Sequence, residues 1–321
     1  MTGSSGHLGE ALVRVLSESG HQVAGIDMVA GATTSIVGSV AEREVAHGSL
    51  QGVDAVIHSA TLHKPHIGTH TWTEFVETNA VGTLNLLESS ADAGVKAFVY
   101  TSTTSAFGRT LTPPLGAPAV WVTEDVVSEP RNIYGVTKTA AEDLCELVHR
   151  ERGLPCVILR TSRFFPEADD FDEHRERFDD LNLKVNELLF RRVDLADVVA
   201  AHQCALDHAP AIGFGRYIVS ATTPFRPADL ADLRSHAPSV VRRLFPDYEE
   251  IYQRRGWSMV PSIDRVYVNV RAREDLGWRP VYDFERALRS LRAGDDPRSP
   301  LARAIGKKGY HDRPTGVYTT C

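Results

Sequence analysis

The sequence predicts an α/β protein built on a doubly wound parallel sheet, and three observations predict it. Short apolar runs alternate with helix-periodic stretches through the first half of the chain. A glycine-spaced loop, TGSSGHLG, opens the first helix, and an acidic residue, Asp27, closes the next apolar run about 20 residues on. Alternation of this kind lays strands side by side and covers both faces with helices.

The loop comes first in the chain. Gly3, Gly6 and Gly9 stand three apart, and Leu8, Leu12, Val15 and Leu16 then mark one helix face. Glycine suits a turn that needs free φ and a backbone that must approach a pyrophosphate, and the helix N-terminus offers unpaired N–H groups to phosphate oxygens. Gly3, Ser5, Gly6, His7, Leu8 and Gly9 are the candidate dinucleotide-binding residues here. Three glycines also suit a plain turn, so the context decides. After Gly20 the run HQVAGIDM ends in Asp27, placed to accept both hydroxyls of an adenosine ribose. Its carboxylate would repel a 2′-phosphate and no arginine follows it directly, so NAD is favoured over NADP; the simpler reading is a solvated turn aspartate.

Further strands are expected at VDAVIHSA (53–60), VKAFVYTS (95–102) and LPCVILRTS (154–162), with helices from Asn79 to Ala93 and from Tyr134 to Arg152. Residues 1–162 read as a nucleotide-binding domain to which 190–220 returns. Residues 163–189 and 221–300 read as a smaller substrate-binding region. The stretch PEADDFDEHRERFDD (166–180) is most simply a solvated loop that lies over the substrate. Residues 301–321, rich in turn formers, read as an extended tail, with docking on a partner subunit as the other option.

At 321 residues the chain is long enough to fold unaided. A net charge of −7 with mixed charge patterning argues against a nucleic-acid partner, and no apolar run approaches membrane-spanning length. Cys145, Cys156, Cys204 and Cys321 lack metal-ligand spacing and no secretory signal precedes them, so reduced thiols in a cytoplasmic protein are expected. His63, His66 and His70 cluster in ATLHKPHIGTH. No cysteine or carboxylate accompanies them on a helix and Pro65 interrupts one, so the expectation is a polar substrate-side loop and no metal site. His58 reads as a hydrogen-bonded structural histidine.

Tyr134 and Lys138 stand one helical turn apart in NIYGVTK, which puts phenol and ammonium on one face. An ammonium nearby favours a tyrosinate and so lowers the phenol pKa toward a range useful for proton transfer. The same spacing arises by chance on helix surfaces, so the pair alone does not decide the matter. The hydroxyls of VYTSTTSAFG end a neighbouring strand and can hold a substrate oxygen beside that phenol.

In chain order, TGSSGHLG, the acidic strand end at Asp27, DAVIHSA, NAVGTLNLLE, TSTTSAFG, YGVTK, RRVDLADVVAAH and LGWRPVYDFERAL resemble the extended short-chain dehydrogenase/reductase family. The resemblance is to its NAD-dependent epimerase/dehydratase group, similar to nucleotide-sugar epimerases, and spans nearly the whole chain. It implies a Rossmann-type sheet, Tyr134 as general acid/base, and Lys138 as its electrostatic partner and a ligand of the nicotinamide ribose. It puts the catalytic hydroxyl three residues before Ala106-Phe107-Gly108, on Thr103, with Ser102 and Thr104 close by in sequence. Asn79 matches an asparagine that organises the cofactor region, and Ala60 a small residue that lets the cofactor approach. Their plainer readings are a helix-cap or buried polar residue and core packing. A homodimer through a four-helix interface is also implied.

Three departures stand out. No strand precedes the loop, with Met1 standing where the family carries that strand's last apolar residue. A valine GTG codon read as a start would produce this, and the expected reading frame continues upstream; a stop codon immediately before Met1 would remove that expectation. Ser39 replaces the usual aspartate near adenine. The section between LRTSRFFP and FRRVDLADVV is short for a nucleotide-sugar enzyme. Thr104, Arg163, Asn182 and Arg265 are the candidate substrate contacts, with Lys184 beside Asn182; Arg265 and Arg271 are the candidates for an arginine that meets a uridine diphosphate, and their plainer reading is surface charge beside LGWRP.

The leading expectation is an NAD-dependent epimerase or related oxidoreductase acting on a sugar-like alcohol or ketone, nucleotide-linked sugars included. The alternatives are a carbonyl reductase or dehydrogenase that exchanges NAD(P) each turnover and, from another class, a non-catalytic NAD-sensing protein. A small-molecule substrate is expected in each enzymatic reading.

Overall fold

The computed structural model describes residues 1–169 and 171–308. Its elements begin with α1 (His7–Glu18), β1 (Ile26–Asp27), β2 (Ile36–Val37), α2 (Arg43–Gly48) and β3 (Ala55–His58). Helices α3 (Trp72–Val76) and α4 (Gly82–Asp92) lead to β4 (Ala97–Thr103), β5 (Val120–Val122), α5 (Ile133–Arg152) and β6 (Cys156–Thr161). Then come α6 (Asp172–Arg177), α7 (Asp180–Glu187), α8 (Leu195–Ile212) and β7 (Phe214–Val219). The remainder is α9 (Leu230–Leu244), α10 (Tyr248–Gln253), β8 (Arg265–Tyr267), α11 (Val270–Asp275), α12 (Phe284–Ala293) and α13 (Pro300–Ile305).

All strand pairs are parallel: β1 with β2, the ladder β3-β4-β6-β7, and a separate β5-β8 pair. The first two groups are joined through Thr2, which bridges Ile26 on one side and His58 on the other. Its N–H donates to Ile57 O at 3.0 Å, while Ile26 N donates to Met1 O at 2.8 Å. Met1 and Thr2 thus occupy the central position where the strand order reverses, the place at which doubly wound sheets open a ligand crevice. β1 pairs β2 only at Ile26 and Asp27, so it is far shorter as a strand than the apolar run HQVAGIDM suggests.

One face of the sheet buries Leu12, Val99, Val157, Val198 and Trp278; the other buries Leu86, Leu87, Phe98, Cys145 and Ile158. Each such large side chain removed from water contributes about 1.5–3 kcal/mol. Trp278 is tied as well as packed. Its indole N–H donates to Asp197 O at 3.0 Å, and the Asp197 carboxylate accepts from Val281 N and Tyr282 N, so the LGWRP segment clamps onto α8. A further core forms from α7, α9, α10 and α12 with Phe178, Leu189, Tyr252 and Phe284.

Several expected boundaries change. The helix expected from Asn79 instead starts at Thr71, whose side chain accepts from Glu74 N in a capping box, and passes through a π turn at Glu77–Val81 before α4. The expected solvated loop at 166–180 carries α6, and its Glu167 is buried against His7 and its Asp169 against Arg163. The expected extended tail begins as helix α13, started by Ser299 as N-cap and Pro300 at its first turn. Residues 309–321 of that tail, Cys321 included, lie outside the described residues.

His58 is fully buried in β3, with Nδ1 bonded to Thr2 Oγ1 at 2.7 Å and Nε2 to Thr83 Oγ1 at 2.9 Å. Burial, then the charges of Lys138 and the N-terminal amine, lower its pKa from 6.5 to about 3. Below pH 6.5 the unfolded chain takes up a proton there that the folded chain refuses. The stability from neutral His58 is therefore present above pH 6.5 and lost as pH falls toward 3, at up to about 1.4 kcal/mol per pH unit. In urea titrations between pH 7 and pH 4, His58→Asn should lose less stability than the wild type over the same interval. Equal losses would show that His58 does not carry the effect.

Candidate functional site

A cavity of about 970 Å³ opens along the carboxyl ends of the strands. Gly3, Ser5, Gly6, His7, Leu8, Gly9, Asp27 and Ala60 all line it. Gly3 has φ +69°, and a Cβ on it would meet Ala60 N at 2.8 Å, so the loop and the β3 end touch backbone to backbone. A Cβ on Gly9 would meet Gly3 O at 1.8 Å, so α1 packs directly on the turn. Gly6, the N-cap of α1, supplies no side-chain cap, which leaves the helix's first N–H groups facing the cavity. Asp27 Oδ2 accepts from Ser5 N at 2.9 Å and Oδ1 from Val29 N at 2.9 Å. A diphosphate at the helix start and a ribose at Asp27 fit this arrangement.

Further along the cavity, α5 presents an unusual buried face. Asn132 caps it, accepting from Gly135 N at 3.0 Å, and Lys138, Glu142, Cys145 and Val148 then point inward. Tyr134 is half-buried on the cavity wall, with the Thr103 hydroxyl near enough to its phenol to favour the ionised form. Thr103 Oγ1 also accepts from Ser105 N at 3.1 Å. Ser102 turns away, donating to Glu142 Oε1 at 2.5 Å, so of these neighbours Thr103 is the one against the phenol. Thr104 lines the cavity beside it.

The ammonium of Lys138 donates to Thr101 O at 2.7 Å and sits 4.1 Å from the Tyr100 ring centroid. Burial lowers Lys138 to about pH 7, against the opposing charges of Glu142 and Cys145. Burial raises Tyr134 to about 12, with the Thr103 hydroxyl opposing. This corrects the expectation of an acidified phenol: in a dry site desolvation disfavours the tyrosinate, and Lys138 spends its N–H on a carbonyl and an aromatic face.

Not every candidate reaches the cavity. Asn79 is buried within the π turn and organises its surroundings: Oδ1 accepts from Leu62 N at 2.8 Å, and Nδ2 donates to Leu62 O at 2.9 Å and Thr137 Oγ1 at 3.0 Å. It links the loop after β3 to α5 without lining the cavity. Asn182 is turned into the α7 core, accepting from Ser258 N at 3.1 Å, and Lys184 ties down Pro166 O at 2.6 Å. Both are corrections: the Asp179 cap sets the α7 phase so that this face meets the chain around Ser258. Arg271 pairs with Asp125 at 2.9 Å, away from the cavity.

Arg163 and Arg265 line the cavity, as do Ser39, His63, His66 and His70. His63 N donates to His66 Nδ1 at 3.0 Å, and the His63 and Phe165 rings are stacked at 6.0 Å. Among the described residues no group of three or more His, Cys, Asp or Glu is arranged to hold a metal.

Sequence reading missed two features. Glu142 accepts from Arg160 Nε at 3.1 Å and Nη2 at 2.6 Å as well as from Ser102, forming a buried charged floor under Lys138. Its signal was the continuation of the four-residue spacing Tyr134, Lys138, Glu142. Arg191 on the cavity wall gave no signal beyond the paired arginines of FRRVD.

Residues 1–216 match the NAD dependent epimerase/dehydratase family. A UDP-glucose 4-epimerase of Rhizobium leguminosarum bv. trifolii is 27% identical over 266 residues, covering 74% of this chain and 75% of that protein. A 3 beta-hydroxysteroid dehydrogenase/Delta 5-->4-isomerase of Mycobacterium tuberculosis is 23% identical, covering 90% and 87%. Other matches are partial: the matched stretch spans 39% of a Sinorhizobium fredii protein and about half of several further relatives. An NAD-bound short-chain dehydrogenase/reductase superfamily protein from Agrobacterium tumefaciens shares the fold at TM-score 0.66 and 23% identity, over 94% of this chain and 96% of that one. The Thermotoga maritima UDP-glucose 4-epimerase, solved with UDP-glucose, does so at TM-score 0.62 and 23% identity, over 89% and 94%. No helix among the described residues is long and apolar enough to cross a membrane. With the family match covering the phosphate loop, the Tyr134–Lys138 helix and the sheet into β7, the chain is a member of the NAD dependent epimerase/dehydratase family, a family of enzymes.

Proposed function

We propose that the protein is an NAD-dependent epimerase, or a closely related oxidoreductase, acting on a sugar-like alcohol or ketone, with nucleotide-linked sugars in its range. The observation that carries this reading is that Tyr134, Thr103 and Lys138 line one cavity, Tyr134 and Lys138 one helical turn apart on α5. Gly3, Ser5, Gly6, His7, Leu8 and Gly9 hold the diphosphate, Asp27 the adenosine ribose, Ala60 leaves room beside it, and Lys138 reaches the second ribose. Bound here, NAD would supply the hydride acceptor for the carbinol carbon. Thr103 would hold the substrate oxygen in line, and Tyr134, ionised against its raised pKa with the Lys138 ammonium nearby as counter-charge, would accept the hydroxyl proton. Tyr134 then returns the proton if the ketone is reduced on its other face.

The sheet side, 1–162 with 190–220, is the cofactor-binding unit in this reading, and 163–189 with 221–300 the substrate-binding one. The relatives named UDP-glucose 4-epimerase support the epimerase assignment, and those named dehydrogenase support the second reading, an enzyme that exchanges its cofactor every turnover. Quantifying NAD, NADH, NADP and NADPH released from denatured protein separates them. Near-stoichiometric NAD or NADH is expected for an epimerase that retains its cofactor. An empty protein that reduces added NAD would favour the exchanging enzyme, and NADP in the pocket would overturn the role given to Asp27.

We also place a homodimer interface on α3, the π turn after it and α5, where Trp72, Val76, Val81, Val136 and Leu147 are exposed. Trp72 is 74% exposed, an uncommon cost for a large aromatic side chain on a free surface. Light scattering should give twice the chain mass for the wild type and a monomer for Trp72→Glu combined with Val136→Glu; a monomeric wild type would refute the assignment. A cytoplasmic location accords with the buried free thiols of Cys145 and Cys156 and is checked by cell fractionation.

A further inference from the structure

Three successive turns of α5 meet three successive residues at the end of β4, and the proposed reaction uses two of those turns. Tyr134 stands by Thr103 on the cavity wall, the Lys138 ammonium donates to Thr101 O at 2.7 Å, and Glu142 accepts from the Ser102 hydroxyl at 2.5 Å. Four-residue spacing keeps Glu142 on the inward face of the helix, one turn beyond Lys138. On the neighbouring strand β6, Arg160 is in register with Ser102, so both side chains leave the same face of the sheet. Arg160 donates to both carboxylate oxygens of Glu142 through Nε at 3.1 Å and to Oε2 through Nη2 at 2.6 Å, and Arg216 of β7 approaches Oε2 at 3.4 Å.

Fastening a helix to a sheet does not require a carboxylate, since well-packed apolar side chains often replace a buried ion pair without loss of stability. Glu142 is 1% exposed, so its charge calls for another reason, and Lys138 supplies one. That side chain is also 1% exposed, and its ammonium meets a neutral carbonyl and the Tyr100 ring. Burial pulls Lys138 down to about pH 7, and the Glu142 charge is the larger of the two that oppose it, ahead of Cys145. Burial keeps the surrounding groups neutral at pH 7. His58 on β3 is lowered to about 3, and His202 of α8, bonded to the Thr101 hydroxyl at 2.8 Å, is lowered to about 4. Tyr134 is raised to about 12, while Tyr100 and Cys145 are pushed well up, and Cys156 of β6 packs in the same core as Cys145. Glu142 is thus the anion on this face, and Arg160 and Arg216 are the cations that hold it.

We propose that Glu142 is a positioning residue of the proton-transfer site: its carboxylate, fixed by Ser102 and Arg160, keeps the neighbouring Lys138 in the ammonium form that the reaction needs. The proposal deepens the function proposed above and rests on it for the roles of Tyr134 and Lys138. Glu142 touches neither cofactor nor substrate and acts through Lys138.

The test is a carbon NMR titration of protein isotope-labelled in its lysines, following the Lys138 Cε signal, which is assigned by its loss in Lys138→Met. Glu142→Gln should lower the Lys138 midpoint by at least about one pH unit, a tenfold change in the protonation equilibrium. Glu142→Gln with Arg160→Met, which also removes the guanidinium left without its carboxylate, should lower it equally and guards against a fold defect in the single variant. Ser102→Ala, which removes the hydroxyl and keeps the carboxylate, should leave the midpoint in place. An unchanged midpoint in both Glu142 variants, or an equal fall in Ser102→Ala, would overturn the proposal. Turnover of UDP-glucose separates charge from packing a second way. With its Lys138 losing the proton earlier, Glu142→Gln should show a deficit that is small below pH 6 and grows to about tenfold above pH 7. A deficit equal at every pH marks a structural residue and also sinks the idea. A lowered midpoint in a protein that turns over no UDP-glucose supports the role of Glu142 and counts against the proposed reaction.

Discussion

Replacing Tyr134 with phenylalanine is expected to lower kcat by roughly 10²–10⁴-fold, the range a positioned general acid/base supplies. The ring stays in its place against the cavity wall, so packing and cofactor affinity should hold, and only the proton path is lost. The effect should be large because no other group replaces the phenol. Ser102 is spent on Glu142, the Lys138 ammonium on Thr101 O, and Thr103 has no base of its own beside it. Steady-state turnover with parallel NAD binding checks this; a variant retaining more than about a tenth of wild-type kcat would place the proton elsewhere.

Glu187→Gln should destabilise the protein by about 3–5 kcal/mol, the cost of breaking a buried ion pair by removing one partner. Burial alone would raise the Glu187 carboxyl, but the charges of Arg191, Arg192 and Arg163 hold it well below the ordinary carboxylate range. A depressed carboxyl contributes stability that is present above its unfolded pKa of 4.5 and is lost as pH falls below it. The deficit of Glu187→Gln should thus be full at pH 7 and shrink in acid. Urea unfolding at the two pH values measures it, and a loss below about 1 kcal/mol at pH 7 would mean that Asp169 alone can balance the arginines.

The local signals and the global ones were legible to different degrees. Gly3, Gly6 and Gly9 announced a phosphate loop because the need for close backbone approach is written in the absence of a side chain. Tyr134 and Lys138 were legible because helical phase depends on spacing alone. Asn182 and Lys184 were misplaced because their direction depends on where the Asp179 cap starts α7, and that cap acts only once the chain around Ser258 is in position. The phenol pKa was misjudged for a related reason: spacing shows that an ammonium is near, while the cost of drying the site appears only in three dimensions.

By itself the sequence determined the alternation that makes a parallel sheet, the phosphate loop, the acidic end of β1 and the Tyr134–Lys138 pair, all features set by neighbours within a few residues. Tertiary structure alone decided that Thr2 bridges β1 and β3, that Thr103 and not Ser102 faces the phenol, and that Arg163, Arg191 and Arg265 line one cavity. Those outcomes depend on contacts between residues far apart in the chain. Such contacts are selected by burial and charge balance, which no local pattern records.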